Sequence, residues 1–114
     1  MQEVKTKEAA QEYINGNRDA ELLEYVNESI KLKPNRSYMM QDSRLHIVDC
    51  LKSLIADVFD IRSCGDFCRA VLKNDLLDAA CRADSTNLGV LDIYAMFIHN
   101  HIPRPLLKKY RKKQ

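Results

Sequence analysis

The sequence predicts an all-α fold, a compact irregular bundle of five to seven short helices in a single domain. Three observations carry that expectation. Apolar residues recur at helical spacing through most of the chain. No Asn-Gly turn lies between alternating apolar and polar strands, so no β-hairpin is signalled. The hydrophobic fraction is 46%, with only three Gly and three Pro, which excludes collagen-like and Pro/Gly-rich disordered chains. A chain of 114 residues is long enough to bury about 65% of its extended surface in one core.

The first helix is expected from Thr6 to Asn15, ended by Gly16. Asn17 can cap the second, with Asp19 adding negative charge to its first turn. Leu22, Leu23, Tyr25, Val26 and Ile30 form its apolar stripe, and Pro34 with Asn35 stops it. Residues 33–42 hold no sustained period and read as the longest connection, although Tyr38, Met39 and Met40 give it apolar material. Asp42 or Ser43 can open a third helix in which Ile47, Leu51, Leu54, Ile55 and Val58 recur at helical spacing. That central helix is expected to pack against a helix over residues 88–99.

Ser63 is placed to cap a shorter helix over 64–73, and Asn74 or Asp75 to restart another through Leu76, Leu77, Ala80 and Cys81. Pattern leaves open whether 64–82 is one helix or two. Ser85 or Thr86 can cap the next, where Leu88, Leu91, Ile93, Tyr94, Met96, Phe97 and Ile98 leave so little polar surface that burial is expected. Pro103 and Pro105 break it, and Leu106, Leu107 and Tyr110 can support one or two terminal turns. The domain is therefore drawn as residues 1–103, followed by a basic tail, 104–114.

The stretch Ala9 to Ala20, continuing through Tyr25 and Ser29 to Asn35, resembles one tetratricopeptide-type helix hairpin. Gly16 stands where the first helix ends, Ala20 early in the second and Pro34 at its close. The resemblance implies hairpin geometry for this quarter of the chain. No second copy follows at the family's period of about 34 residues, so a peptide-binding groove of that kind is not implied.

Charge is unevenly distributed. Residues 1–99 carry 12 Lys/Arg against 16 Asp/Glu, a balance of −4, whereas residues 100–114 carry six Lys/Arg and no acid. A mildly acidic body with a basic end can attract phosphate or an acidic protein surface. No 18-residue apolar run is long enough to cross a bilayer, and the N-terminal residues lack a secretory signal's apolar core, so an intracellular location, cytoplasm or nucleus, is expected. Cys50, Cys64, Cys68 and Cys81 then read as reduced thiols in or near the core.

For catalysis, nothing in the sequence sets a particular thiol beside His46, His99 or His101, and neither a Gly-rich phosphate loop nor a His-Glu-x-x-His segment is present. A non-catalytic chain is expected. His46 with Cys50 and Cys64 with Cys68, each four apart, could on facing helices supply tetrahedral zinc ligands. A core role for the thiols needs no ion, and no metal or cofactor is expected. The function expected is a protein-interaction or regulatory adaptor, bound to a protein partner or paired as a homodimer through Tyr38, Met39, Met40, Leu106, Leu107 and Tyr110. The alternative is an RNA- or DNA-binding protein. It would use Lys31, Lys33, Arg36 and Arg44 together with Arg104, Lys108, Lys109, Arg111, Lys112 and Lys113, with Tyr110 stacking on a base.

Overall fold

A computed structural model describes residues 1–111. Among them lie seven α-helices and no strand. The helices are α1 (Lys7–Ile14), α2 (Asp19–Lys31), α3 (Gln41–Val58), α4 (Asp66–Leu72), α5 (Leu76–Arg82), α6 (Ser85–Leu88) and α7 (Leu91–His101). Two 3-10 helices, Pro34–Arg36 and Arg104–Tyr110, complete the path. The chain forms an all-α bundle, as its periodicity predicts.

Helix starts follow short polar side chains wherever one can reach a free amide. Thr6 Oγ1 accepts from Ala9 N at 3.1 Å, Asp75 Oδ1 from Asp78 N at 3.1 Å, and Asp84 Oδ1 from Asn87 N at 2.7 Å. Other expected caps are corrected. Arg18, Met40 and Gly65, not Asn17, Asp42 or Ser63, precede α2, α3 and α4, and none of them caps through a side chain.

Three helices stop in the same way. After α1, Gly16 takes φ +89°, with Asn17 N bonded to Glu12 O at 3.1 Å and Gly16 N to Tyr13 O at 3.2 Å. Asp60 (φ 59°) repeats this after α3 and Asn74 (φ 63°) after α4. Each is a left-handed residue that turns the chain so that two following amides satisfy the last free carbonyls. Asn74 answers the question of residues 64–82: they form two helices with a sharp corner between them.

The central helix is α3, whose Ile47, Leu51, Leu54, Ile55 and Val58 are all buried. Its backbone neighbours are α1, α2 and α4, while α7 contacts α4. α7 shares one core with α3 through Ile93, Tyr94, Phe97 and Ile98, and Cys50 and Leu54 of α3 line a cavity with Tyr94 of α7. α1 and α2 follow one another through the turn at Gly16, and both pack on α3. Tyr13 Oη bridges them by donating to Glu21 Oε2 at 2.5 Å.

Two expected core faces turn outward. Leu76, Leu77 and Cys81 on α5 are exposed, and its buried residue is Ala79. On α7, Met96 of the expected stripe faces solvent beside Ala95. On α5 the cause is its length. A seven-residue helix packs along a narrow strip, so its second apolar column meets no neighbour. Leu76 and Ala95 line the groove described next.

Candidate functional site

Arg36 in the connection after α2 and Arg44 in the first turn of α3 both turn back onto the fold. Arg36 places Nη1 2.8 Å from Asp92 Oδ1 and Nη2 3.1 Å from Ser29 O, and its side chain is only 10% exposed. Arg44 spends all three nitrogens, on Met39 O at 3.0 Å, Asn27 Oδ1 at 2.8 Å and Ser37 O at 3.2 Å. Lys33 approaches Asp92 at 3.6 Å and Lys31 approaches Glu28 at 3.2 Å. Burial pushes the Asp92 carboxyl up, but Arg36 and Lys33 outweigh it and hold the group below its ordinary range. Of the apolar residues here, Met39 packs on the core while Tyr38 and Met40 stand in solvent.

The second basic interval divides residue by residue. Lys109 Nζ lies 3.2 Å from Asp57 O, 2.9 Å from Val58 O and 2.8 Å from Asp60 Oδ1. It thereby neutralises the negative end of α3. Tyr110 donates its hydroxyl to Oδ1 of Asp57, a carboxylate only 6% exposed that also accepts from Cys64 N at 3.0 Å through Oδ2. Burial, reinforced by Asp57, raises the Tyr110 phenol far above its usual value. Leu107 is buried and Leu106 packs beside the core. The C-terminal 3-10 helix is therefore latched to the end of α3. Arg104, Lys108 and Arg111 remain exposed, and among the described residues their side chains form no ion pair. Lys112 and Lys113, also named from the sequence, lie outside the described residues.

These three free cations edge a groove of about 530 Å³ between α4, α5, α7 and the C-terminal 3-10 helix. Val71, Ala79, Leu91, Ala95, Ile98 and Leu107 make its floor, with Leu76 projecting at the margin. The one acid in the lining is Asp75, the cap of α5. Sequence reasoning named Leu107 and the cations, assigned Leu76, Leu91 and Ile98 to the core stripe and did not single out Ala95; Ile98 is buried as expected, whereas Leu91 is half-buried and Leu76 and Ala95 are exposed. The available signal was the pair of helix-ending residues Lys73 and Asn74, which shorten α4 and leave α5 too brief to bury two faces.

A second cavity, of about 200 Å³, lies between α3, α4 and α7 and is lined by Cys50, Phe67, Cys68, Asn87 and Tyr94 among others. Beside it the His46–Cys50 pair, four apart in the sequence, is joined by Asp84, which the sequence did not signal. His46 Nε2 lies 3.0 Å from Asp84 Oδ2 and 4.0 Å from Cys50 Sγ. A nucleophilic relay needs a carboxylate on one ring nitrogen and the thiol on the other. Here one nitrogen faces both groups. Burial also pushes the Cys50 thiol up, away from the thiolate form that a nucleophile uses. Tyr94, raised far above its usual value by burial, donates to Asn87 Oδ1, which fixes the amide beside Cys50.

Cys64 and Cys68 are joined as a disulfide, with Cα atoms 5.8 Å apart. This corrects the expectation of four reduced thiols: the turn before α4 brings the two backbones within bridging reach. Cys81 is exposed, another departure from a core role. Among the described residues no three His, Cys, Asp or Glu side chains converge to hold a metal ion, and no helix is long and apolar enough to cross a membrane. No family model, curated protein or solved structure matches this chain.

Proposed function

We propose that this chain is a non-catalytic protein-interaction module, an adaptor or regulator, whose partner docks in the groove between α5, α7 and the C-terminal 3-10 helix. The observation that carries the reading is an apolar floor left open to solvent beside Arg104, Lys108 and Arg111, cations with no partner among the described residues. Apolar contact supplies affinity at such a surface, and rim charge steers encounter and register. The nucleic-acid reading ranks below it. Arg36, Arg44 and Lys109 hold the fold together, and Tyr110 is engaged with Asp57 rather than offered to a base.

The test is a display selection with random peptides on the intact chain, repeated with Ala95→Glu, which sets a charge on the groove floor from an exposed position. Peptides recovered on the native chain are expected to lose binding to the variant and to shift the amide resonances of Leu91 to His99. Binders indifferent to Ala95→Glu that shift α1 or α2 instead would refute the reading. So would a monomer–dimer equilibrium that the same substitution abolishes while no peptide binds, since the occupant would then be a second copy of the chain.

A further inference from the structure

Resting on that reading, we infer that the groove takes an acidic amphipathic helix. Protein segments dock through a few recurrent physical modes, and the site discriminates among them. Strand addition needs an open sheet edge, and the described residues contain no strand. Polyproline recognition needs an aromatic-lined trough, whereas this lining holds aliphatic side chains and no Tyr, Trp or Phe. Packing of a helix face into an apolar groove needs a floor of aliphatic residues flanked by polar rims, and that is what Val71, Leu91, Ala95 and Ile98 provide.

The charge of the partner follows from the rims. Arg104 and Lys108 on the C-terminal 3-10 helix and Arg111 just after it line the groove, and the one acid in the lining is Asp75. A 3-10 helix rises about 2 Å per residue, so Lys108 and Arg111 are separated by about 6 Å along its axis, close to the ~5.4 Å pitch of an α-helix. Arg104 to Arg111 spans about 14 Å, or roughly two and a half α-helical turns. A helix laid alongside with Glu or Asp on successive turns meets these cations while its leucine stripe faces the floor. The rim is held in place by the latch: Lys109 and Tyr110 fasten the 3-10 helix to α3 and leave its remaining cations pointing at the groove.

The experiment uses three fluorescent helical peptides of about 16 residues with the same leucine stripe and a polar face of Glu, Lys or Gln, titrated into the intact chain. The Glu peptide is expected to bind at least about 10-fold tighter than the Lys peptide, with Gln between them, and the gap to shrink several-fold as salt rises toward ~0.5 M. The combined variant Arg104→Glu, Lys108→Glu, Arg111→Glu is expected to invert the ranking. Comparison of the three peptides on the native chain stands even if that variant does not fold. Equal or tighter binding of the Lys peptide overturns the acidic-helix inference while groove docking survives, provided Ala95→Glu still abolishes binding. Indifference of all three peptides to Ala95→Glu overturns groove docking and this inference together. Displacement of the Glu peptide by a single-stranded deoxythymidine oligonucleotide, or by phosphatidylserine vesicles at equal charge, also overturns it, in favour of a general polyanion surface.

Discussion

The two basic intervals of this chain, 31–44 and 104–111, look alike in sequence and do different things. In the first, both arginines point inward: Arg36 joins Asp92 and Ser29, and Arg44 gathers the carbonyls of the loop that leads into α3. In the second, only Lys109 is turned inward, while Arg104, Lys108 and Arg111 border an apolar groove. A cation is available to a partner only when the fold has set no carboxylate or free carbonyl within its reach. Charge counting cannot make that distinction, because helix ends supply acceptors that carry no formal charge.

The largest expected effect is at Arg36. Arg36→Met strips Asp92 of its close partner and leaves Ser29 O with one donor fewer, and it is expected to cost about 2–3 kcal/mol in chemical denaturation. That value lies below the ~3–5 kcal/mol of fully buried pairs because the Asp92 side chain is 42% exposed. A loss under about 0.5 kcal/mol would place Arg36 with the available cations and break the contrast. Tyr110→Phe comes next: it leaves the buried Asp57 carboxylate short of a hydrogen bond, with an expected loss of about 1.5–3 kcal/mol. The same variant is expected to weaken Glu-peptide binding by loosening the rim, which a Tyr110 merely exposed to solvent would not do.

A smaller effect is expected at His101, which ends α7 just before the C-terminal segment. Burial lowers its pKa from the ordinary 6.5, although Glu21 and Glu3 pull the other way. The folded protein thus favours the neutral ring. Its contribution to stability is fully present above pH ~6.5 and is lost as pH falls through the lowered folded value. Urea midpoints are expected to decline from pH 7 toward pH 5 and the slope to flatten in His101→Gln. An unchanged slope would show that other groups set it.

Much of the fold was legible. The stripes of α2 and α3 placed Leu22, Val26, Ile47 and Leu51 in the core, and Thr6 and Asp75 were where helices begin. What the sequence hid was non-local. Asp60 adopts a left-handed conformation that Gly would ordinarily mark, and it is held there within reach of Lys109, 49 residues away. Leu76 and Leu91 match a helical period equally well whether a neighbour covers them or not, so periodicity could not separate core from groove. The Cys50, His46 and Asp84 cluster needed α3 and α6 to meet. Cys64 and Cys68 could have paired or stayed apart at the same spacing, and the turn before α4 decided it.

The division of labour among the cations is tested most directly by two neighbours of equal charge, Lys108 and Lys109, each replaced by Ala in the intact chain. Lys109→Ala removes donors from Asp57 O and Val58 O and is expected to lower stability by about 1–2 kcal/mol, or roughly 4–8 °C in Tm, with the Lys109 side chain's partial exposure keeping the loss at the lower end. Lys108→Ala is expected to leave stability within about 0.5 kcal/mol and to weaken Glu-peptide binding several-fold. Equal losses of stability at the two positions, with peptide binding unchanged by Lys108→Ala, would contradict the account.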